Sequence, residues 1–144
     1  MEQSRTANNN AVDAVLSEND GMAGGVVAAL AAQGLVIPVG GQDGDLAAIN
    51  RVARGTQTVS VWKDARQLGD AAGKIAAALA GGASLDSIEG ASKFNGGEKG
   101  VEMNAILLTP TAITKDTLNL AIDAGHITKE AACEGAMEGI AACQ

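Results

Sequence analysis

Residues Ala11–Gly34, AVDAVLSENDGMAGGVVAALAAQG, contain the pattern that decides the fold of this chain. The first six are nearly all apolar, which is typical of a short strand covered by helices on both faces. Polar residues at Ser17–Asp20 end that strand. A helix is predicted next, over Gly21–Gln33, with Asp20 as its N-cap and Gly34 as its stop.

The same unit of strand and helix recurs twice further along the chain. An apolar run at Leu35–Val39 precedes a helix predicted over Asp45–Arg54. An alternating run at Thr58–Trp62 precedes an alanine-rich helix predicted over Ala65–Ala80. Pro38 is expected at a strand start, because proline has no backbone donor. Repeated units of this kind predict an α/β fold, with a parallel sheet flanked by helices.

The later part of the chain shows the pattern less regularly. A loop is predicted over Glu89–Gly100, which is rich in Gly, Lys, Ser and Asn. A fourth apolar run at Ala105–Leu108 predicts another strand, and two further helices are predicted over Lys115–Ala124 and Lys129–Ala142.

These elements suggest three regions. Residues 1–10 are interpreted as a polar leader, residues 11–128 as an α/β lobe, and residues 129–144 as a helical extension. The extension carries both cysteines of the chain, Cys133 and Cys143, so one disulfide is expected there if the compartment is oxidising. The leader does not have the pattern of a signal peptide, so either the protein is cytoplasmic or the chain has been cut.

Charge and composition argue against several classes of function. The 144 residues include 10 Lys and Arg against 17 Asp and Glu, a net charge of -7, so no basic field is expected that could neutralise phosphates. The single Trp, the single Phe and the absence of Tyr leave little to stack on unpaired bases. No apolar run approaches the roughly 20 residues of a membrane helix. We therefore expect no nucleic-acid partner and no membrane span.

Residues that could perform catalysis are scarce. His126 is the only histidine, and it follows a predicted helix C-terminus, where it is expected to act as a cap. No Ser or Cys lies in a recognisable nucleophile elbow. Two cysteines are too few for a four-ligand zinc site. We therefore expect that the chain is not an enzyme and that it has neither a cofactor nor a metal site.

Polar side chains follow the carboxyl ends of the first three predicted strands. In an open parallel sheet the ligand crevice lies beyond those ends. An amide, a carboxylate and an ammonium group aimed at one crevice match the hydroxyl groups of a small polyol or sugar. Asn and Asp are also common in turns and caps. Capping is preferred for Asp20, whereas Asp45 is better placed than Asp43 to cap the next helix. The residues concerned are Asn19, Asp20, Gln42, Asp43 and Lys63.

A dinucleotide-binding fold is an alternative, because Gly21, Gly24 and Gly25 follow a strand and open a helix. The spacing does not match G-x-G-x-x-G. Close packing of the helix on the sheet is the preferred explanation of these glycines.

Three segments resemble the second lobe of periplasmic sugar-binding proteins. They are Val12–Asp20 with the following Gly24-Gly25, Gly41–Ile49 and Gly55–Lys63, and the last two are similar to the D-xylose-binding branch. Leu107–Pro110 resembles the late strand that crosses back between the lobes, and the likeness extends from Asn10 to about Gly125.

The resemblance implies a periplasmic receptor that closes two lobes around one sugar and delivers it to the membrane subunits of an ABC importer. It also implies that Asn19, Asp43 and Lys63 form the hydrogen-bonding set of this half. Two positions depart from the family: Asp64 stands where proline is usual, and Trp62 where another aromatic is common. A disulfide between the two cysteines would fit a periplasmic origin.

The chain has room for about one of the two lobes. Surfaces that normally face the other lobe are therefore expected to expose apolar side chains and to promote a homo-oligomer, for example by exchange of an element. One alternative is a self-assembling fragment with little sugar affinity, because half a site lacks the preorganisation that closure provides. Another alternative is the effector-binding domain of a sensor or transcription regulator.

Overall fold

The computed structural model describes every residue from Met1 to Gln144 and divides the chain into two units. The first unit joins Met1–Lys63 to Pro110–Gln144, and the second is Asp64–Thr109. The strands are β1 (Val15–Leu16), β2 (Val39–Asp43), β3 (Val59–Trp62), β4 (Ser92–Phe94), β5 (Met103–Ala105) and β6 (Thr111–Ile113). The helices are α1 (Glu2–Ala7), α2 (Asp20–Ala31), α3 (Leu46–Ala53), α4 (Ala65–Ala80), α5 (Leu118–Asp123) and α6 (Lys129–Cys133).

The first unit is built on a four-stranded sheet in the order β1-β2-β3-β6. The first three strands are parallel, as the sequence predicts, and β6 pairs antiparallel with β3. The predicted α/β class, a mostly parallel sheet flanked by helices, is thereby confirmed. The sheet departs from the predicted parallel arrangement only at its β6 edge, where a three-residue strand offers too short a pattern to recognise.

The predicted strands differ from the observed ones in position. The first shrinks to Val15–Leu16, and the second moves from Leu35–Val39 to Val39–Asp43. Pro38 explains the shift, because it precedes β2 without an N–H to donate, while its carbonyl accepts a hydrogen bond from Val15 N at 2.9 Å. Gly40 and Gly41, which follow the predicted strand, therefore lie within the observed one.

A helix of the first unit buries one face against the sheet. In α3 the buried residues recur one helical turn apart, as expected for an amphipathic helix on a sheet. Three of them, Ile49, Val52 and Ala53, join Trp62, Ile113 and residues of α5 and α6 in the larger of two apolar clusters. The smaller cluster contains Ala23 and Leu30 of α2 and Val39 of β2. The buried residues of α3 are Ala48, Ile49, Val52 and Ala53.

The C-terminal segment is less helical than predicted. The expected helix over Lys129–Ala142 ends at Cys133, because Gly135 and Gly139 take φ values of +66° and +81°, which interrupt a right-handed helix. Ala141–Cys143 form a separate turn of 3₁₀ helix. The structure joins Cys133 to Cys143 in a disulfide.

The second unit contains α4 and a two-stranded sheet. The bounds of α4 agree with the predicted helix, Ala65–Ala80, and none of its residues is buried. The prediction of a loop over Glu89–Gly100 is wrong in part, because Ser92–Phe94 pairs antiparallel with Met103–Ala105. The predicted strand at Ala105–Leu108 overlaps β5 at Ala105 alone.

Two further observations concern the N-terminal segment and the helices as a whole. Glu2–Ala7, within the region interpreted as a polar leader, forms α1, and the Arg5 side chain is buried there. None of the helices combines the length and the apolar character needed to traverse a bilayer.

Candidate ligand-binding site

Asp43 and Lys63 meet at the carboxyl ends of two adjacent parallel strands. Asp43 ends β2 and lies opposite Trp62, the last residue of β3, so Lys63 is the first residue beyond that strand. The Lys63 Nζ atom lies 2.8 Å from Asp43 Oδ1. Both side chains are close to half exposed, at 47% and 42%, so the pair is accessible to a ligand.

Asn19 lies at the start of α2, beside the same end of the sheet. Its side-chain Oδ1 accepts a hydrogen bond from Met22 N at 2.8 Å, which makes Asn19 the N-cap of α2. With the oxygen committed to the helix, the Asn19 amide has its Nδ2 hydrogens to offer a ligand. The neighbouring residue Asp20 is hydrogen-bonded to the backbone that follows Asp43, so the three predicted residues share one end of the sheet.

The assignment of Asp20 as the N-cap of α2 is wrong. Its side chain is only 1% exposed and accepts hydrogen bonds from Gly44 N at 2.9 Å, Asp45 N at 3.0 Å and Ser60 Oγ at 2.6 Å. These contacts cross 24 to 40 residues of sequence, which is why no local pattern could reveal them. Asp45 stands at the N-cap of α3, but its side chain makes no capping hydrogen bond.

The other oxygen of Asp20 is held by Gln57, which sequence reasoning did not single out. Gln57 Nε2 donates to Asp20 Oδ1 at 2.8 Å, while Arg51 Nε donates to Gln57 Oε1 at 2.9 Å. Arg51 also donates to the backbone carbonyl of Asp20 at 2.9 Å. The polar cluster Asp20–Arg51–Gln57–Ser60 therefore ties α2, α3 and β3 to the turn after β2.

The turn that presents Asp43 has an unusual backbone. Asp43 has φ +108° and Gly44 has φ +79°. A side-chain-bearing residue in such a conformation costs about 1–3 kcal/mol and persists only where its surroundings enforce it. Gly44 has a second reason to be glycine, because a Cβ there would lie 2.2 Å from Trp62 Cδ1.

Trp62 and His126 pack against this turn. Their ring centroids are 4.8 Å apart with an interplanar angle of 34°, and Trp62 is 5% exposed. His126 Nε2 lies 2.7 Å from the Gly44 carbonyl oxygen, so the imidazole donates to that acceptor. The prediction that the His126 imidazole acts as a helix cap is therefore wrong: it binds the backbone beside the candidate site.

The packing explanation of the glycines in α2 is also wrong. A Cβ at Gly24 would contact the Arg51 guanidinium at 3.3 Å, and one at Gly25 would meet nothing within 4 Å. The nearest neighbours of these positions are therefore not residues of the sheet.

The candidate site combines three kinds of hydrogen-bonding group. Asn19 supplies amide hydrogens, Asp43 a carboxylate and Lys63 an ammonium group. Such a set offers donors and acceptors that match a neutral molecule with several hydroxyl groups, each of which both donates and accepts.

Comparisons with known proteins identify the family of this chain. The model of the periplasmic binding protein domain family matches residues 1–84. The chain is 44% identical over 133 residues to the D-xylose-binding periplasmic protein of Haemophilus influenzae, across 90% of this chain and 39% of that protein. It is 42% identical over 120 residues to the D-xylose-binding periplasmic protein of Escherichia coli, across 82% of this chain and 35% of that protein.

A solved structure is similar as well. It is the carbohydrate transporter solute binding protein from Chloroflexus aurantiacus in complex with D-glucose, with a TM-score of 0.68 and 30% identity across 82% of this chain. This chain spans 39% and 35% of the lengths of the two curated relatives and 34% of that of the solved structure. Because the family model matches more than half of the chain, the protein belongs to the periplasmic binding protein domain family.

Proposed function

We propose that this chain supplies one half of a sugar-binding site in a solute-binding protein that serves an ABC importer in the periplasm. Asn19, Asp43 and Lys63 form the ligand set of this half. A binding role without catalysis is supported by the relatives, which are named as binding proteins. The curated relatives named for D-xylose support this sugar or a related pentose as the ligand.

One observation carries the proposal: the Asp43–Lys63 ion pair at the carboxyl ends of β2 and β3, with its members 2.8 Å apart and about half exposed. The carboxylate accepts hydrogen bonds from sugar hydroxyls, and the ammonium group donates hydrogen bonds to their oxygens. Hydrogen bonds to charged groups are about twice as strong as neutral ones, so this pair is expected to dominate the affinity of the half-site.

Isothermal titration calorimetry of the purified chain with D-xylose tests the proposal. The wild-type chain should show saturable binding, and Asp43→Asn and Lys63→Met should each raise the Kd about tenfold or more. Lys115→Met is the matched control. Lys115 also forms an exposed ion pair, with Asp116 at 2.6 Å, but it follows β6 at the opposite end of the sheet. Absence of saturable binding by the wild-type chain would refute the proposal, as would unchanged affinity in Asp43→Asn.

A second candidate property is self-association, which the exposed apolar side chains favour. Leu16 on edge strand β1 is 92% exposed, and it projects on the same face of the sheet as the half-buried Val59. In the second unit, Ile75 and Ile106 line an open groove of about 550 Å³. Apolar surface of this kind is commonly covered in an oligomer. We therefore propose that a second copy of the chain covers part of it.

Light scattering after size-exclusion chromatography, with and without D-xylose, measures the oligomeric state. A dimer that Leu16→Lys converts to a monomer would support self-association. A monomer at every concentration tested would exclude it.

A further inference from the structure

The turn Asp43–Asp45 directs two backbone amides at one buried carboxylate. We propose that Asp20 is a positioning residue: by accepting these amide hydrogens it holds the backbone of Asp43 in the conformation that brings its carboxylate to Lys63. This inference rests on the proposed function for its consequence, which is that Asp20 controls sugar affinity without being part of the exposed ligand set.

The contacts of one oxygen fix the turn. Asp20 Oδ2 accepts from Gly44 N at 2.9 Å, from Asp45 N at 3.0 Å and from Ser60 Oγ at 2.6 Å. Ser60 Oγ in turn accepts from Gly44 N at 3.1 Å. The two amides that immediately follow Asp43 are therefore held by groups that are 1% and 0% exposed. A backbone held in this way resists relaxation of Asp43 from φ +108° to an extended conformation.

The hydrogen bonds of Gln57 require that the other oxygen of Asp20, Oδ1, also be an acceptor. Gln57 cannot reverse its amide, because its Oε1 accepts from Arg51 Nε and its Nε2 donates to the carbonyl of Val59 at 3.1 Å. Asp20 Oδ1 must consequently be an acceptor for Gln57 Nε2. An asparagine at position 20 would place an NH₂ group against a donor in either of its two orientations. The cluster therefore requires two acceptor oxygens at this position.

Gly41 of β2 leaves room for the side chains of Asp20 and Gln57. A Cβ at Gly41 would lie 2.2 Å from Asp20 Oδ1 and 2.6 Å from Gln57 Nε2. Gly41 thus leaves the space through which the Asp20 side chain reaches the turn. An N-cap role for the residue before α2 is already filled by Asn19, so capping does not account for Asp20.

If the Asp20 side chain only stabilised the fold, its loss would lower stability without changing the conformation of Asp43 or the affinity for sugar. The test below separates this structural role from the positioning role. The variants are Asp20→Asn and Ser60→Ala, with Asn50→Ala as the control. Asn50 Nδ2 donates to the carbonyls of Ala131, Ala132 and Glu134, away from the turn, so its loss destabilises the fold and leaves the turn intact.

Two quantities are measured for each variant under conditions where the chain is folded. The first is the HN–Hα coupling of Asp43 by NMR without ligand, which is small at the observed positive φ and large in an extended strand. The second is the Kd for D-xylose by calorimetry. We expect both variants to increase the coupling and to raise the Kd about tenfold or more, while Asn50→Ala lowers the melting temperature alone.

An unchanged coupling in folded Asp20→Asn and Ser60→Ala overturns the inference, as does a changed coupling with an unchanged Kd. If Asp20→Asn does not fold, Ser60→Ala decides. If the wild-type chain does not bind D-xylose, the proposed function fails separately. The positioning of Asp43 by Asp20 then stands or falls on the coupling.

Discussion

Lys63 Nζ lies 2.8 Å from Asp43 Oδ1, and the two residues are brought together by the parallel register of β2 and β3. Their pairing is a property of the sheet, since 19 residues including α3 separate the two positions in sequence. The pair is accessible, while the carboxylate that holds the turn, Asp20, is buried beside it.

Lys63→Met should change the free energy of unfolding by less than about 1 kcal/mol, because exposed ion pairs contribute little to stability. Urea denaturation followed by circular dichroism measures this quantity. The same variant is expected to lose affinity for D-xylose. A large loss of stability would show that Lys63 supports the fold and would contradict its assignment to the ligand set.

Asn19→Asp should separate capping from ligand binding. Aspartate caps helices as well as asparagine does, so the melting temperature should stay close to that of the wild-type chain. The substitution replaces the Nδ2 donor by an acceptor, so we expect the Kd for D-xylose to rise about tenfold or more. Asn19→Ala is the comparison, since it should lose both the cap, at a cost of about 1 kcal/mol, and the affinity. Unchanged affinity in Asn19→Asp would remove Asn19 from the site.

Gly44→Ala should destabilise the first unit severely, by more than about 2 kcal/mol, because the new Cβ would meet Trp62 and the backbone has φ +79°. Gly25→Ala is the matched control. It lies within α2 with nothing near its Cβ position, so it should stabilise the chain by about 0.5–1 kcal/mol. Differential scanning calorimetry of both variants checks the prediction, and equal melting temperatures would contradict it.

Removal of the disulfide should lower stability. Cys133 and Cys143 close a loop with a sequence separation of 10, for which chain entropy predicts about 2–3 kcal/mol. The measurement compares urea denaturation of the wild-type chain with that of the double variant Cys133→Ser and Cys143→Ser. The affinity for D-xylose should be retained, because the bridge lies in the C-terminal segment and not at the ends of β2 and β3. Equal denaturation midpoints would show that the bridge does not stabilise the chain.

Asp86 in the second unit should titrate on the acid side of an ordinary aspartate. Hydrogen bonds from Lys93 of β4 and then from Asn104 of β5 lower the pKa of Asp86. Because the folded pKa is below the unfolded value, the stabilising contribution is present at neutral pH. It is lost as the pH falls through the folded pKa, below about 4.

Carbon NMR of the Asp86 carboxyl group measures this titration. In Lys93→Met its midpoint should rise towards the ordinary value, while in Lys115→Met it should not move. An identical midpoint in the wild-type chain and Lys93→Met would contradict the prediction.

Elements with strong local signals could be predicted from the sequence. The helix Ala65–Ala80 agrees at both ends, since an alanine-rich run bounded by Asp64 and Gly81 contains its own start and stop. The position of β2 could not be predicted in the same way. Its centre is Gly-Gly, which favours a turn locally, and pairing with β1 and β3 overrides that preference.

The residues of the candidate site could also be predicted only in part. The positions of Asn19, Asp43 and Lys63 after successive strands follow from the sequence, because parallel strands align their carboxyl ends. The roles of Asp20 and Asn19 at the start of α2 did not follow, since either residue type can cap a helix. Contacts with Gly44, Ser60 and Gln57 from other elements decided between them.

By itself, the sequence determined the α/β class and placed polar residues after the predicted parallel strands, because apolar periodicity and strand order are encoded locally. The resemblance to periplasmic sugar-binding proteins narrowed those residues to Asn19, Asp43 and Lys63. Only the tertiary structure decided which carboxylate faces the solvent and which holds the turn. A buried carboxylate is selected by its hydrogen-bond donors, and the donors of Asp20 come from residues 24 to 40 positions away.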